Sequence, residues 1–315
     1  MKKVILSLLL VLLLAGLGAC HRPAVVYTDN EPFVLDIEGD TLKILQLTDF
    51  HLTFGIDYND QKTFRLIEKL AAHDTYDLIV ITGDLTMSPS ALRLFRQTIR
   101  RMEAIGIPWT FVFGNHENDF HRHEQFIRHI GQTEHLLFKV GPELEEGGFG
   151  NFKITFTKDG NPFYHAYFLD SHSEVEDYTP EQGKYGYFST AQVAWYRDLV
   201  KDDAEDSVVF THIPLRQFID PVDYDGIFNE DQVYAQGIDT GFFDAMLEFD
   251  RSRAVFVGHD HLNDFSFFRE GILLAYGRIT GYNAYGNLER GGRVIEIDDA
   301  GTLTTYILLE SEVWS

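Results

Sequence analysis

The sequence contains very little cysteine: among its 315 residues, Cys20 is the single one. A chain with no second cysteine cannot form a disulfide bond within itself, so its stability must come from the hydrophobic core and from any bound metal ions. Long apolar runs are also missing, because the stretch from Val4 to Leu14 is shorter than the roughly 20 residues of a membrane-spanning helix. The sequence shows no internal repeat, low-complexity segment or break in composition, which favours a single folded domain.

Basic residues are scarce as well. Lysine and arginine number 26 against 49 aspartate and glutamate residues, and the net charge of −23 becomes −25 if Lys2 and Lys3 are removed with a signal. Sequence-independent affinity for nucleic acid arises largely from basic side chains that meet phosphates, so this charge argues against a nucleic-acid partner. We attribute the acidic surface to solubility rather than to a specific partner. A hydrophobic content of 44%, with 26 phenylalanines, is ample for a substantial core and excludes a disordered protein.

The N-terminal segment has the features of a secretory signal: two lysines, an apolar run, and then small residues that lead into Cys20. Residues 17–20, Leu-Gly-Ala-Cys, resemble the lipobox of bacterial lipoproteins, in which the cysteine is lipidated and becomes the mature N-terminus. We therefore expect a signal peptide over 1–19, a tether and lead-in over 20–39, and one domain over 40–315. The protein is expected in the bacterial cell envelope, anchored to the membrane through lipidated Cys20. An ordinary cleaved signal, or an uncleaved anchor, would also imply export.

From Thr41 onward, strand-like apolar runs alternate with helical stretches, which indicates an α/β domain with largely parallel pairing. The main predicted strands are 42–47, 77–82, 109–113, 207–210 and 254–257, and predicted helices include 89–104, 189–200 and 240–249. Ser88 is expected to cap the helix that begins at Pro89. A hairpin over 152–169 is expected to begin a second sheet, and a hairpin over 293–308 to close the domain. The pattern predicts one domain of two packed sheets with helices outside.

Each of these five main strands is followed by residues that can bind a metal ion. In open α/β sheets the loops after the carboxyl ends of the strands form the ligand crevice, so we expect the five segments to meet. In chain order, the candidate residues are Asp49, His51, Asp84, Asn115, His116, His212, His259 and His261. Any one of the segments alone would be a weak signal, but five of them at strand ends predict a shared site. Gly83, Gly114 and Gly258 directly precede candidates, which indicates tight turns or close backbone approach.

These residue types suit a transition-metal site. Carboxylate, imidazole and amide ligands favour ions such as Mn, Fe or Zn, whereas calcium takes oxygen ligands and a structural zinc site usually takes cysteine. Alternate residues of an extended segment point the same way, so Asp49 and His51 can reach one ion together. His259 and His261 have the same spacing, yet they can also divide between two ions.

The order of these motifs, Asp-X-His, Gly-Asp, Gly-Asn-His-Glu, His and Gly-His-X-His, resembles that of the calcineurin-like metallophosphoesterase superfamily. The resemblance extends from about Leu42 to Leu308, and segments 43–49 and 257–265 look like the branch related to purple acid phosphatases. It implies a four-layer α/β/β/α sandwich of two mixed β-sheets flanked by helices. It also implies two metal ions, divalent or of the Fe/Mn/Zn type. In the implied ligand set the first ion is held by Asp49, His51 and His261, the second by Asn115, His212 and His259, and both by a bridging Asp84. His116 is then the catalytic acid.

One departure from purple acid phosphatases concerns the position three residues after Asp84, where they have a tyrosine and this sequence has Met87. His51, which they lack, is present. We therefore expect no purple tyrosinate–iron colour. The resemblance implies hydrolysis of a small phosphomonoester by a hydroxide that bridges the two ions. The alternatives are a phosphodiesterase acting on nucleotides or phospholipid headgroups, and a catalytically silent binding module, which would be expected to lack a ligand.

Five further residues have less definite roles. Glu117 and Asp170 are candidates to accept a hydrogen bond from a metal-bound imidazole, although solvated loop carboxylates would look the same in sequence. Tyr276, Tyr282 and Tyr285 punctuate a glycine-rich stretch that could line the mouth of the site or pack in the core.

Overall fold

A computed structural model of the protein describes residues 24–314. The predicted signal peptide and Cys20 lie outside the described residues. Within 24–314, none of the helices is both long enough and apolar enough to cross a membrane.

The first strand of the candidate site lies at the centre of a five-stranded sheet. In spatial order the strands are β12 (Leu303–Leu309), β11 (Gly291–Asp298), β2 (Thr41–Leu47), β3 (Leu78–Thr82) and β4 (Trp109–Val112). Strands β2, β3 and β4 run parallel, and β11 and β12 form the closing hairpin that the sequence predicts over 293–308. Because both faces of this sheet are covered, β3 and β4 are buried along their whole length and read as continuous apolar runs.

The second sheet has seven strands. In spatial order they are β1 (Phe33–Asp36), β5 (Phe152–Lys158), β6 (Asn161–Phe168), β7 (Ser207–Phe210), β8 (Ser252–Val257), β10 (Ile272–Tyr276) and β9 (Ser266–Arg269). The hairpin predicted over 152–169 is formed by β5 and β6, which turn at Asp159 and Gly160 with positive φ at both. Strand β1 pairs in parallel with β5, so sheet structure begins inside the segment 20–39 that was assigned to the tether and lead-in.

Helices cover the outer faces of both sheets. The first group, packed on the five-stranded sheet, is α1 (Tyr58–Ala71), α2 (Ala91–Ile105), α3 (His123–Ile127) and the C-terminal α6 (Glu310–Val313). The second group, on the seven-stranded sheet, is α4 (Thr190–Val200) and α5 (Phe242–Glu248). Between the sheets, Ile44 and Val80 of one sheet pack in the same core as Ile154 and Val208 of the other. The expected four-layer α/β/β/α sandwich of two mixed sheets is confirmed.

The structure differs from the sequence prediction at short elements. Strands β1, β9 and β10 were not predicted: β1 alternates between half-buried and exposed, β9 buries only Phe267, and β10 is a uniformly buried apolar run without periodicity. Helix α2 begins at Ala91 rather than at Pro89. Residues 88–90 form a turn in which Ser88 Oγ accepts a hydrogen bond from the amide of Ser90, so Ser88 does not cap the helix.

Five strands, β2, β3, β4, β7 and β8, end at one edge of the sandwich, which we call the carboxyl edge. Strands β6 and β10 run parallel to their neighbours β7 and β8 and also end there. The two sheets meet at this edge, because Gln46 Nε2 of β2 donates to the carbonyl of Val257 at the end of β8, 2.9 Å away. Loops from both sheets are thereby brought into one crevice.

Candidate metal centre

Two groups of buried donor atoms meet at the carboxyl edge. The first group is Asp49, His51, Asp84 and His261, and the second is Asp84, His212 and His259; the donor atoms of each group all lie within 4.8 Å of one another. Asp84 belongs to both groups. Asn115 Oδ1 joins the second group, 3.1 Å from His212 Nε2. All seven residues predicted as ligands are therefore brought together in the order of the strands.

In the first group, ring nitrogens and carboxylate oxygens point at each other. His51 Nε2 and His261 Nε2 are 3.0 Å apart. The first of these nitrogens is 3.5 Å from Asp84 Oδ2, and the second is 3.4 Å from Asp49 Oδ1. Asp49 Oδ1 is buried without a hydrogen-bond partner. Burying an unpaired carboxylate oxygen is costly, and a cation held between these atoms would offset that cost.

In the second group, one hydrogen bond fixes which nitrogen of His212 is available. Its Nδ1 donates to the carbonyl of Thr82 at 2.7 Å, because a carbonyl can only accept. Its Nε2 then faces Asn115 Oδ1 at 3.1 Å and Asp84 Oδ2 at 3.3 Å. Burial lowers the pKa of His212, but the negative Asp84 outweighs burial and raises this pKa to about 10. The site therefore attracts positive charge, either a proton or a metal ion.

His259 completes the second group with a neutral imidazole. Its Nε2 is buried and has no hydrogen-bond partner. Burial and the positive charge of His212 hold the pKa of His259 well below its ordinary range, so the ring offers a lone pair. An orphaned imidazole nitrogen and an orphaned carboxylate oxygen, beside an amide oxygen, fit ions of the Mn, Fe or Zn type.

Four of the donor residues have a left-handed backbone. Their φ angles are 54° at Asp49, 46° at His51, 52° at Asp84 and 82° at His259. Such a conformation in a residue other than glycine costs on the order of 1–3 kcal/mol and persists only where the surrounding structure imposes it. The close backbone approach predicted at the glycines is confirmed at Gly258, where a Cβ atom would lie 2.9 Å from Asp49 Oδ2.

Glu117 supports the backbone of the site instead of an imidazole. Its carboxylate accepts hydrogen bonds from the amides of Asp84, Thr86 and Gly114 at 3.1, 3.1 and 2.8 Å. Burial and the negative charge of Asp84 raise the pKa of Glu117. The structure corrects the expectation that this carboxylate would accept from a metal-binding histidine, since the partner of His212 is a main-chain carbonyl. Glu117 ties the end of β3 to the end of β4.

Asp170 also lies outside the donor groups. Its Oδ2 is 3.4 Å from His123 Nδ1, and its carboxylate accepts from the amides of Phe149 and His172 at 2.9 and 2.8 Å. Burial raises the pKa of Asp170, but His123 and these neighbours outweigh it and lower the pKa to about 2. Among the described contacts of Asp170 there is no hydrogen bond to a histidine of the donor groups. Asp170 instead holds α3 and the loop before β5 to the end of β6.

Replacing Asp170 with asparagine is expected to lower the free energy of unfolding by about 2 kcal/mol at pH 7, because its pKa falls from 3.8 to about 2 on folding. This stabilisation is fully present above the unfolded pKa of 3.8 and is lost as the pH falls through the folded pKa of about 2. Urea unfolding of both proteins at neutral pH and at stepwise lower pH measures it. A difference that does not shrink on acidification contradicts the electrostatic origin.

His116 lies beside both donor groups and faces the pocket above them. Its amide donates to Asp84 Oδ1 at 2.9 Å, and its ring centroid is 5.1 Å from that of His51. Its Nδ1 is 2.8 Å from Asp119 Oδ2. Burial lowers the pKa of His116, but the bond to Asp119 and the charge of Asp84 raise it to about 9, so the ring carries a proton at neutral pH. Asp119 was not identified from the sequence. The signal that could have revealed it is the spacing, because residues three positions apart on a helical turn are neighbours.

A pocket of about 360 Å³ opens over the donor atoms. Its remaining walls are formed by Glu174, Lys184, Tyr185, Glu230, Tyr234, Asp260 and Tyr285. The ring of Tyr185 packs edge-on against His259, with centroids 4.4 Å apart, and that of Tyr285 packs against His261 at 4.1 Å. Of the tyrosines considered from the sequence, Tyr285 lines the pocket, whereas Tyr276 is buried. The other two aromatic walls, Tyr185 and Tyr234, were not considered from the sequence.

The fold and the two donor groups together define the class of protein. The profile of the calcineurin-like phosphoesterase family matches residues 42–263, more than half of the chain, and the chain belongs to this family. A dimetal phosphatase from Danio rerio matches the fold with a TM-score of 0.59 at 11% identity, over 84% of this chain and 98% of that one. Purple acid phosphatase PPD1 from yellow lupin seeds matches with a TM-score of 0.50 at 10% identity, over 87% of this chain and 55% of that one.

Sequence relatives place the chain near purple acid phosphatases, as predicted. "Probable inactive purple acid phosphatase 29" of Arabidopsis thaliana is 27% identical over 325 residues, covering 89% of this chain and 82% of the relative. "Probable inactive purple acid phosphatase 14" of the same plant is 28% identical over 338 residues, covering 92% and 82%. Phosphatase DCR2 of Saccharomyces cerevisiae is 28% identical over 304 residues, covering 81% of this chain and 51% of its own length.

Proposed function

We propose that the protein is a phosphoric ester hydrolase that uses two metal ions and acts on a small phosphomonoester. The observation that carries this proposal is the pair of buried donor groups that share Asp84, with His116 beside them and an open pocket above. Membership of the calcineurin-like phosphoesterase family supports the reaction class.

The proposed ligand set follows the two donor groups. One ion would be held by Asp49, His51 and His261, the other by Asn115, His212 and His259, and Asp84 would contribute to both. When bound, the two ions would supply positive charge for the phosphoryl oxygens and lower the pKa of the attacking water. The contribution of the chain is to aim the donor atoms inward before any ion arrives, through the left-handed turns and through Glu117. Such preorganisation avoids rearrangement during the reaction.

In this proposal His116 donates a proton to the leaving oxygen of the ester. Its Nδ1–H is engaged by Asp119, which leaves the Nε2–H for the substrate. Asp119 is thus a positioning residue that fixes the orientation of the ring. The pocket of about 360 Å³ and the net charge of −23 favour a small substrate over a polynucleotide.

Two alternative functions must be distinguished from a phosphomonoesterase. A phosphodiesterase would use the same donor groups, so the site alone does not select the ester. A silent binding module is suggested by the names of the two plant relatives, which carry the word "inactive". Against that alternative, this chain keeps all seven proposed ligands and His116.

Activity assays on the full chain in detergent separate these functions. After chelation, Mn, Fe, Zn and Mg are added singly, and turnover of p-nitrophenyl phosphate is compared with that of bis(p-nitrophenyl) phosphate. We expect at least one ion to restore turnover, with the monoester preferred. A preference for the diester supports the phosphodiesterase alternative. Two equivalents of bound metal without turnover of either ester supports the silent module.

The iron-loaded protein is expected to lack a tyrosinate charge-transfer band, because Met87 stands where purple acid phosphatases have their tyrosine. The pocket tyrosine Tyr285 turns its hydroxyl to Glu230, 2.5 Å away, and presents only its ring to His261. Visible absorption after iron loading measures this, with Met87→Tyr as the variant expected to gain the band. A purple wild-type protein contradicts the prediction.

A further inference from the structure

Several large apolar side chains are exposed at the carboxyl edge, the edge that also carries the candidate site. We call them the apolar rim: Phe54, Ile56, Tyr58, Phe120 and Trp314, with 65, 84, 73, 53 and 40% of each exposed. The first three follow β2, the fourth follows β4, and the last follows α6. Single exposed apolar residues are ordinary on protein surfaces, but a group of them beside a binding site marks an interaction surface.

One part of the rim borders a shallow groove. The groove has a volume of about 520 Å³ and is lined by Tyr58, Lys62, Arg65, Glu289, Glu310, Ser311 and Trp314. The groove lies at the carboxyl edge because β12, which leads into α6, ends opposite Gly291 at the start of β11. Lys62 pairs with Glu310 at 3.3 Å within the groove, so the aromatic rings of Tyr58 and Trp314 are what the groove offers to an interface between apolar and aqueous surroundings.

The other part of the rim lies at the start of α2. The carbonyl of Phe54 accepts a hydrogen bond from Arg93 at 2.6 Å. The ring of His121, the residue after Phe120, bonds the carbonyl of Pro89 at 3.1 Å. Phe54 and Phe120 are therefore carried by two loops that both contact residues 89–93.

The described chain enters the fold at this same edge. The ring of Tyr27 stacks on Phe149, with centroids 5.8 Å apart, and the amide of Phe149 donates to Asp170 just beyond the end of β6. Asp170 lies 3.4 Å from His123, three residues after Phe120. The segment that leads back toward Cys20 thus leaves the domain at the carboxyl edge, where Tyr27 contacts the loop before β5.

The length of that segment limits how the domain can sit on an anchor. Four residue steps separate Ala24 from Cys20, and they span at most about 14 Å when fully extended. A domain of this size has a radius of gyration of about 19 Å. Because the link is shorter than that radius, an anchor at Cys20 keeps the carboxyl edge toward the membrane and the opposite edge away from it.

We propose that the apolar rim rests on the surface of a lipid bilayer, so that the catalytic pocket opens at the level of the lipid headgroups. The aromatic members of the rim suit that position, since tyrosine and tryptophan combine an apolar ring with a polar atom and concentrate at membrane interfaces. The net charge, −25 once the signal is removed, argues against attraction to anionic lipid as the main contribution, so apolar contact holds the rim in place. This inference rests on the proposed function and on the anchoring through Cys20 that the sequence predicts, and it makes esters of membrane amphiphiles available as substrates.

The test compares two phenylalanines that are equally exposed on different edges. Phe54 is 65% exposed in the rim, and Phe268 is 68% exposed in β9, near the hairpin turn at the opposite edge. The full chain carrying Phe54→Cys or Phe268→Cys is labelled with a nitroxide and placed in phosphatidylcholine vesicles. A lipidated Cys20 has no thiol, so the label reports only the introduced position. We expect the label at 54 to collide several-fold more with dissolved oxygen than with a water-soluble nickel complex, and the label at 268 to show the reverse.

Three outcomes overturn the inference in different ways. If the chain does not float with vesicles, or if Cys20 reacts with a thiol reagent, the anchoring proposal fails. If the chain floats but the label at 54 is as open to nickel as the label at 268, the rim inference alone fails. If the label at 54 is shielded from both reagents in detergent, a protein, such as a second copy, covers the rim. Turnover of a soluble monoester is independent of all three, so failure of the proposed function is seen separately.

Tryptophan fluorescence provides a second measurement without any substitution. Trp109 and Trp195 are buried, with 0 and 6% exposed, whereas Trp314 of the rim is 40% exposed. Brominated lipids are expected to quench a fraction of the emission that comes from Trp314, and Trp314→Phe should remove that fraction. Equal quenching of the parent and the variant contradicts contact between the rim and the bilayer.

Discussion

Replacing Asp84 with asparagine is expected to lower kcat by more than about a hundredfold. Removing a residue that only hydrogen-bonds to a metal ligand can already cost up to about a hundredfold, and the loss of a shared ligand should cost more. The reason is that Asp84 is the one carboxylate common to both donor groups: its Oδ2 lies 3.5 Å from His51 Nε2 and 3.3 Å from His212 Nε2. Asparagine keeps the shape of the side chain but removes the charge that two neighbouring cations would share. Metal content by elemental analysis is therefore expected to fall below two equivalents.

Thermal unfolding gives a readout of the Asp84→Asn variant that is independent of activity. An ion at one hundred times its Kd stabilises the folded state by about 2.7 kcal/mol, and the variant should lose much of this gain. Asp170→Asn is the matched control, since both carboxylates are buried with 1% exposed but only Asp84 belongs to the donor groups. The control is expected to unfold more easily and yet to keep two equivalents of metal. An Asp84→Asn protein with two equivalents and normal turnover contradicts the shared role.

Replacing His116 with alanine is expected to reduce kcat by roughly 10²- to 10⁴-fold, the usual contribution of a positioned acid. Metal content should not change, because the imidazole of His116 belongs to neither donor group. The loss should depend on the leaving group. An alkyl phosphate, whose alkoxide is a poor leaving group, needs the proton far more than p-nitrophenyl phosphate does, so it should suffer the larger reduction.

Steady-state kinetics with the two esters measures this difference. His121→Ala is the matched control: it lies five residues further along the same segment, and its ring bonds the carbonyl of Pro89 instead of facing the pocket. That variant should keep kcat for both esters. If His116→Ala slows both esters equally, His116 stabilises charge rather than delivering a proton; if it slows neither, it has no part in the reaction.

The placement of the donor residues could be predicted because it depends on strand ends alone. Buried parallel strands such as β3 and β7 have unmistakable apolar runs, and parallel strands of one sheet finish at one edge. The order and direction of the strands then bring the polar residues that follow these runs close to one another. For the same reason the four-layer architecture followed from the order of elements and from the family resemblance.

The partners of the donors could not be predicted, because they depend on contacts between loops. The carboxylate of Glu117 reaches three main-chain amides, and the partner of His212 is the carbonyl of Thr82, a group that no residue type reveals. The partner of Asp170 could not be predicted for the same reason, since His123 lies in a five-residue helix whose contact with the end of β6 no sequence pattern shows. Short edge strands such as β1 bury too little to show a clear pattern.

The origin of the donors in both sheets has a consequence for a chain with one cysteine. Asp49, His51 and Asp84 follow strands of the five-stranded sheet, whereas His212 and His261 follow strands of the seven-stranded sheet. A metal ion that joins His51 to His261 links residues 210 positions apart in sequence. By chain-entropy reasoning, a covalent link closing so long a loop would contribute on the order of 5 kcal/mol. The metal centre would therefore act as a cross-link between the two sheets. Removing the metal with a chelator would destabilise this protein in the way that reduction destabilises a disulfide-bonded protein.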